Sequence, residues 1–345
     1  MKELKVGVIH WDAALPPDTY FGHYCVTSLS PAKYRDRVPF YGEILDEDHI
    51  RFHERTDEEL TRELEFAIDA GIDYFAYVWY GEEPLRELGY VFEDPSVVSG
   101  EVWELSAMRK RHAAHPLREK IKLCAILSVH PFTDRELERV ALEMQQPYYQ
   151  YIEGRPLAYL YGGYRTELVE RLRRACQAAG TPDPYVVFFD GDAKAQPGDY
   201  SRVQGVSNYA CPTEGITAYG ELITDCVRRN ENRLAYGLPV VPLFSAGWNP
   251  SPRIDHPVPW YPYPRTDYAS TSGPRELYDG AVRWKDKLDQ LPTERLLGHI
   301  LVFAWNEFEE GGFLCPTLGC NGEPDTARLD AFKEAVQYWK NSERK

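Results

Sequence analysis

No stretch of the 345-residue chain approaches the ~18 consecutive apolar residues that a membrane-crossing helix needs. The opening MKELKVGVIHWD carries only a strand-sized apolar run, too short for the core of a signal peptide. Membrane insertion is therefore not expected. Positive charge is also scarce. Lys and Arg number 39 against 54 Asp and Glu, for a formal net charge of −15. A surface of that sign repels phosphate backbones, so nucleic acid is not an expected partner. The one compact basic run, RKRH from Arg109 to His112, lies in a helical pattern and reads as a solvated face.

Cysteine is sparse and scattered. The seven are Cys25, Cys124, Cys176, Cys211, Cys226, Cys315 and Cys320, an odd number with no C-x-x-C pair. No Cys/His cluster has zinc spacing, so a structural zinc site is not expected. Dispersed thiols fit a reducing cytoplasm best, which is the expected location, and secretion with a removed signal stays open. Cys124, in an apolar run, reads as a small core residue. Cys315 and Cys320 flank a turn containing Pro and Gly and are candidates to pair. Low-complexity segments, linkers and short repeats are absent as well. A single domain over residues 1–345 is expected, with the 43% hydrophobic residues building a large core.

Aromatic residues are plentiful: 24 Tyr, 14 Phe and 8 Trp. Many close an apolar run beside a polar group, as in IHWD, YVWYG, SAGWNP, PWYPYP and FAWNEF. Aromatic faces next to hydrogen-bonding groups suit sugar rings, which pair apolar C–H faces with hydroxyl rims. The plainer reading is core packing with each polar tip satisfied.

Short runs rich in Val, Ile, Tyr and Phe read as buried strands at 4–10, 73–79, 122–129, 156–161, 185–190, 203–209, 240–247 and 299–305. Helical patterns lie between most of them. The one at 57–71 starts with Thr56 as N-cap and Glu59 three residues on, and the one at 133–146 repeats the T-x-x-E start. The pattern at 165–180 stops at Gly180, and others fit 214–232, 274–291 and 326–341. Eight strands alternating with helices imply an α/β protein with a parallel sheet, and eight units closing on themselves make a (β/α)8 TIM barrel. A doubly wound open sheet would want a Gly-rich turn after the first strand, where HWDAALPPD has none.

A barrel places its active site at the C-terminal ends of the strands. Those ends carry Trp11 and Asp12, Trp79 and Tyr80, His130, Tyr161, Asp190 and Asp192, Asn208 and Tyr209, Trp248 and Asn249, and Trp305, Asn306 and Glu307. Two long insertions, 12–55 and 248–272, are expected to shape a cleft on that face.

The stretch AWNEFEEGGFLCP, Ala304 to Pro316, holds three carboxylates: Glu307, Glu309 and Glu310. If it turns helically, Glu307 and Glu310 share one side, about 5–6 Å apart at Cβ, and Glu309 points elsewhere. Two carboxylates walled by aromatics have their pKa values pushed apart, so one is ionised while the other keeps a proton. Cleavage of a glycosidic bond needs that division of labour. The competing reading is a solvated acidic helix start.

WNEFEEGGFLCP resembles the W-N-E-W-x-E-G-x-x-x-E-P signature of WbsX-like proteins. It is also similar to the F-N-E-W-H-E-G stretch of glycoside hydrolase family 99, the endo-α-mannosidase family. AGIDYFAYVWYGEE (70–83) resembles that family's AGIDFFxxxWY second strand, and VVPLFSAGWNPSPR (240–253) its GWDxxPR segment. The resemblance implies retaining hydrolysis without metal or cofactor. Glu307 would act as base on the sugar 2-hydroxyl, giving a 1,2-anhydro intermediate, and Glu310 as acid/base, with Trp305 and Asn306 bracing both. Four positions depart from the pattern. Phe308 is the second aromatic, Glu309 replaces His, Cys315 replaces the Glu before Pro316, and Asn249 replaces the Asp of GWDxxPR.

Other residues have two readings each. Asp190 and Asp192 in FFDGDAK suit sugar hydroxyls or a solvated loop, and hard-cation sites want more oxygen ligands than this stretch offers. Arg253 suits an acidic sugar or phosphate clamp, or a surface ion pair. His130 before Pro131 suits a proton shuttle or a satisfied strand end. His10 should point to the barrel wall or core by alternation. Three functions follow. The first is a glycoside hydrolase acting on an oligo- or polysaccharide. The second is a glycosyltransferase of surface-polysaccharide assembly, for which Asp190-Gly-Asp192 is the candidate D-x-D and no Gly-rich phosphate loop exists. The third is a non-catalytic carbohydrate-binding barrel.

Overall fold

Runs of Val, Ile, Tyr and Phe bounded by turns form eight parallel strands in the computed structural model, which describes residues 3–11, 20–52, 56–81, 107–128, 132–163, 165–190, 200–260, 263 and 268–342. They are β1 (Lys5–His10), β2 (Tyr74–Trp79), β3 (Lys122–Leu127), β4 (Arg155–Leu160), β5 (Tyr185–Phe189), β6 (Gly205–Ser207), β7 (Leu243–Ser245) and β8 (His299–Phe303). Their order in the sheet is β7-β8-β1-β2-β3-β4-β5-β6. Val6 pairs with Ile300 on one side of β1, and Val8 with Phe75 on the other. The gap between β6 and β7 is closed by Pro239–Val241. The Val206 amide donates to the Pro239 carbonyl at 2.9 Å, and the Val241 amide donates back to the Val206 carbonyl at 3.0 Å. The result is a (β/α)8 barrel.

The seventh strand is shorter than the expected 240–247. Pro239 and Pro242 bring no N–H to a ladder, so regular pairing starts only at Leu243. The sixth is trimmed to three residues for want of partners beyond Ser207.

The helices around the barrel are α1 (Tyr20–Leu29), α2 (Asp57–Asp69), α3 (Ala107–Ala114), α4 (Asp134–Glu143), α5 (Thr166–Ala179), α6 (Tyr219–Leu234), α7 (Ser251–Asp255), α8 (Pro274–Leu288) and α9 (Ala327–Ser342). Thr56 and Thr133 each close a capping box, with Glu59 and Glu136. Gly180 ends α5 in the left-handed region at φ 73°. The helix expected over 214–232 starts later because Ile216–Thr217 pairs instead with Tyr268–Ala269. One cluster of buried apolar side chains runs from Leu4 to Trp339 and takes in every barrel strand but β6, whose Val206 packs with Leu234 and Val240 in a smaller one. Among the described residues no helix is long and apolar enough to cross a membrane.

Two local expectations are corrected. RKRH is not a solvated face. Arg109 and His112 are buried; Arg109 lies over the Trp79 ring, 3.4 Å from its centroid, and pairs with Glu143. His112 meets the Tyr77 hydroxyl at 3.1 Å and the Ile121 carbonyl at 2.9 Å. α3 therefore turns this edge of the run onto the barrel. Cys315 and Cys320 do not pair: Cys315 is buried, its amide on the Trp305 carbonyl at 2.8 Å, while Cys320 is exposed. Cys124 is fully buried, as expected.

Candidate active site

Beyond β8 the chain does not turn helically. Asn306 and Glu307 pair antiparallel with Phe313 and Gly312, and residues 308–311 form the tight turn of this small hairpin. Its two glycines answer to space. Gly311 has φ 71°, and a Cβ on Gly247 would sit 2.0 Å from the Gly311 carbonyl oxygen. A Cβ on Gly312 would sit 2.3 Å from the Phe303 ring. The hairpin lies flat on the end of β7 because these positions lack side chains.

The hairpin carries its carboxylates inward. Glu307 and Glu309 are each 3% exposed and Glu310 is 7% exposed, which excludes a solvated acidic turn. Glu309 does not point away from the other two. All three converge on Arg253 of α7, itself 3% exposed. Arg253 Nη1 donates to Glu310 Oε1 at 2.6 Å. Its Nη2 lies 3.7 Å from Glu307 Oε2 and 3.7 Å from Glu309 Oε2. Arg253 is thus neither a surface ion pair nor an unengaged clamp. Burial works against its charge, yet Tyr263 and the three carboxylates hold its pKa well above the ordinary value.

The pair is held unequally. Glu310 also accepts the Tyr263 hydroxyl, while Glu307 accepts the Tyr209 hydroxyl at 3.0 Å and keeps Oε2 without a hydrogen bond. Burial raises both carboxylates above the ordinary 4.5, and for Glu307 the charge of Glu310 adds to it. Arg253 opposes the rise in both, and its direct contact is with Glu310. The direct Arg253 contact thus favours charge on Glu310 more than on Glu307.

Aromatic rings surround this cluster. The Arg253 guanidinium lies 5.0 Å from the Trp11 ring centroid, 5.7 Å from that of Trp260 and 5.7 Å from that of Tyr263. Trp11 Nε1 donates to the Tyr80 hydroxyl at 2.6 Å. Tyr209 packs on Tyr161, ring centroids 4.4 Å apart, and Trp248 faces Tyr263 at 6.3 Å. Asn306 grips the Trp11 backbone, accepting its amide at 2.8 Å and donating to its carbonyl.

The side chains of the remaining expected site residues are engaged elsewhere. Trp305 is fully buried beneath the hairpin, its indole on Glu63, which also meets His10 at 3.1 Å. His10 is thereby in the core, as alternation predicted. Trp79 lies under Arg109. Asp190 and Asn208 are tied to Arg233 of α6. Arg233 Nη2 donates to the Asp190 carbonyl and to Asn208 Oδ1, both at 2.8 Å, and the Tyr236 hydroxyl donates to the Asp190 carboxylate. Asn249 serves structure: its Oδ1 accepts the Ser251 amide at 3.2 Å and starts α7. Asp12, His130 and Asp192 lie outside the described residues. Among those described, no group of three or more His, Cys, Asp or Glu is placed to hold a metal ion.

Sequence reading passed over four contributors. Arg37, buried in the first insertion, donates to the Asn249 carbonyl at 2.8 Å and to Thr271 Oγ1 at 3.1 Å, so it pins the loop that carries Arg253. Cys25 of α1 is buried near Glu309: burial raises its thiol pKa, and the Glu309 carboxylate adds to the rise. Trp260 and Tyr263 come from the PWYPYP run, whose aromatic density was the available signal. Arg37 and Cys25 have no such signal.

No family model matches the chain, and no curated protein matches its sequence. Solved structures do match. The chain is similar to the GH99 endo-alpha-mannosidase from Bacteroides thetaiotaomicron in complex with Bis-Tris propane, at 11% identity over 100% of both chains with a TM-score of 0.60. A second structure of that enzyme matches at 11% identity over 98% of each chain, TM-score 0.56. A glycoside hydrolase-like protein matches at 12% identity over 97% of this chain and 94% of that one, TM-score 0.60. At such identities the likeness is one of fold, and over its whole length this chain has the (β/α)8 fold seen in those glycoside hydrolases.

Proposed function

We propose that the chain is a glycoside hydrolase acting on an α-linked oligo- or polysaccharide with retention of configuration, using Glu307 and Glu310 and no metal or cofactor. One observation carries the reading: two buried carboxylates at the C-terminal end of β8 are held unequally, Glu310 directly on Arg253 and Glu307 on the Tyr209 hydroxyl, the environment that divides an acid from a base. The fold of the similar structures supports the reaction class. Retention and the α-linkage are supported by the resemblance of WNEFEEGG to family 99. That resemblance implies Glu307 as base and Glu310 as acid/base, whereas the direct Arg253 contact favours charge on Glu310. Leaving-group dependence separates the two assignments. The variant lacking the acid still cleaves an aryl glycoside with an activated leaving group, because such a group departs unprotonated. The cytoplasmic location suggested by the scattered thiols belongs to the same proposal, and secretion of the native protein would overturn it.

The experiment compares wild type, Glu307→Gln and Glu310→Gln on α- and β-linked oligosaccharides and aryl glycosides, with EDTA in parallel. The proposal expects cleavage by wild type, indifference to EDTA and at least a hundredfold loss on oligosaccharides in both variants. A non-catalytic carbohydrate-binding barrel is the second reading, favoured by Cys315 and Asn249 where the resembling motifs carry acids. Equal glycan binding by all three proteins with no cleavage would establish it.

A further inference from the structure

Glu63 is a buried carboxyl group that the proposed reaction does not use. It stands in the apolar row of α2 with Leu60, Leu64 and Ala67, and it is 0% exposed. A leucine there would pack the helix on the barrel at less cost, because a buried carboxyl group must have its oxygens engaged. Two side chains engage this one. Glu63 Oε1 accepts the indole N–H of Trp305, and His10 Nε2 lies 3.1 Å from the same oxygen. An indole nitrogen only donates, so the first bond has one direction.

The two partners come from neighbouring strands. His10 is the last residue of β1, and Trp305 stands two positions beyond the end of β8. The next residues along the chain, Trp11 and Asn306, are themselves joined by the Asn306 side chain on the Trp11 backbone. The seam between β1 and β8 is thus closed twice, through Asn306 and, one residue earlier on each strand, through Glu63. Phe75 of β2 packs against both partners, its ring centroid 5.1 Å from each of theirs. The Trp305 carbonyl then accepts the Leu314 amide at 3.0 Å and the Cys315 amide at 2.8 Å. Those two bonds close the base of the hairpin that carries Glu307 and Glu310.

We propose that Glu63 is a positioning residue: from α2 it fixes the Trp305 indole, and through Trp305 the base of the hairpin, so that Glu307 and Glu310 meet the substrate in one geometry. The effect on turnover rests on the hydrolase reading. The effect on the hairpin is tested without turnover.

The test is hydrogen–deuterium exchange of the full chain for wild type, Glu63→Leu, Glu63→Asp and Glu63→Gln, with steady-state kinetics beside it. Leucine keeps the volume without an acceptor, aspartate withdraws the acceptor by one methylene, and glutamine keeps a carbonyl oxygen at the same reach. The segment 304–316 should exchange at least about tenfold faster in Glu63→Leu and Glu63→Asp than in wild type or Glu63→Gln, while 57–69 of α2 keeps its protection. On the oligosaccharide or aryl glycoside that wild type cleaves, kcat should fall by about tenfold or more in the same two variants, with KM within about threefold, since a misplacement of about 1 Å is enough for such a loss. Glu63→Gln should keep kcat within about threefold of wild type. If Glu63→Leu does not fold, Glu63→Asp carries the comparison. Unchanged hairpin exchange, or an α2 that loosens as much as the hairpin, would show that Glu63 only packs the helix. A Glu63→Gln variant as impaired as Glu63→Leu would show that the acceptor oxygen is not what holds Trp305. If the hairpin loosens as expected but wild type cleaves no glycan, the clamp stands and the hydrolase reading fails. If wild type cleaves and Glu63→Leu matches it in kcat and exchange, the clamp fails and the hydrolase reading stands.

Discussion

Arg253 donates to Glu310 at 2.6 Å across 57 positions of sequence. One partner stands on a five-residue helix after β7 and the other in the hairpin after β8. The contact ties together two loops at the C-terminal end of the strands, and it also puts a cation where three buried carboxylates meet.

Replacing Arg253 by Met removes that cation and leaves the carboxylates uncompensated. Breaking a buried ion pair from one side costs about 3–5 kcal/mol. The loss should be full at neutral pH and shrink as pH falls, because protonated carboxyls need no counter-charge. Urea unfolding at pH 7 and pH 5 measures it; a loss equal at both pH values would show that Arg253 contributes packing alone.

Tyr209→Phe deletes the hydrogen bond that favours ionised Glu307. The Glu307 pKa, already raised, should rise further, by about one pH unit or less for a bond of about 1 kcal/mol. In infrared difference spectra across pH, the protonated-carboxyl band that Glu307→Gln removes should persist to higher pH in this variant. A downward move would mean the hydroxyl serves the protonated form.

Gly247→Ala places a methyl group against the Gly311 carbonyl. The hairpin must shift, so activity should fall by tenfold or more, while overpacking costs about 1–3 kcal/mol of stability. Oligosaccharide turnover and a thermal melt of the same sample separate the two effects.

His112 is buried between Tyr77 and Ile121, and burial lowers its pKa from 6.5 to about 4. Because the folded-state value is the lower one, the stability it confers is present above 6.5 and lost as pH falls toward 4. That displacement is worth about 3 kcal/mol across the window. His112→Gln should flatten this part of the stability–pH curve, and denaturant titrations at half-unit intervals would reveal a curve that stays unchanged.

Thr56→Ala and Thr133→Ala each remove a capping box whose bonds are local to the helix start. Each should cost about 1 kcal/mol and leave turnover unaltered. A drop in turnover in the folded protein would show that α2 or α4 is coupled to the site.

Much of the barrel was legible because strand and helix periodicity are local. Eight apolar runs, two T-x-x-E starts and a Gly stop are enough to write the order of elements. Proline set the errors at β7, where absent N–H groups shorten the strand. RKRH was misread because a basic run does not announce which of its members lies against an aromatic ring such as Trp79.

The site was legible only in outline. Glu307 and Glu310 stand out by spacing, and the aromatic strand ends place them near aromatic rings. Asn306 was picked out, but its contact with the Trp11 backbone spans 295 positions. Arg37 and Cys25 reach the site from an insertion whose path no periodicity describes.

By itself the sequence determined the alternation of strands and helices, and with it the edge of the barrel where chemistry belongs. Tertiary structure alone decided the charge of the site: that Glu309 turns inward, that Arg253 closes on Glu310, and that Trp305 retreats into the core. Propensity acts over neighbouring residues. The proton balance of a buried carboxylate depends on which distant charges the closed fold brings within a few ångströms.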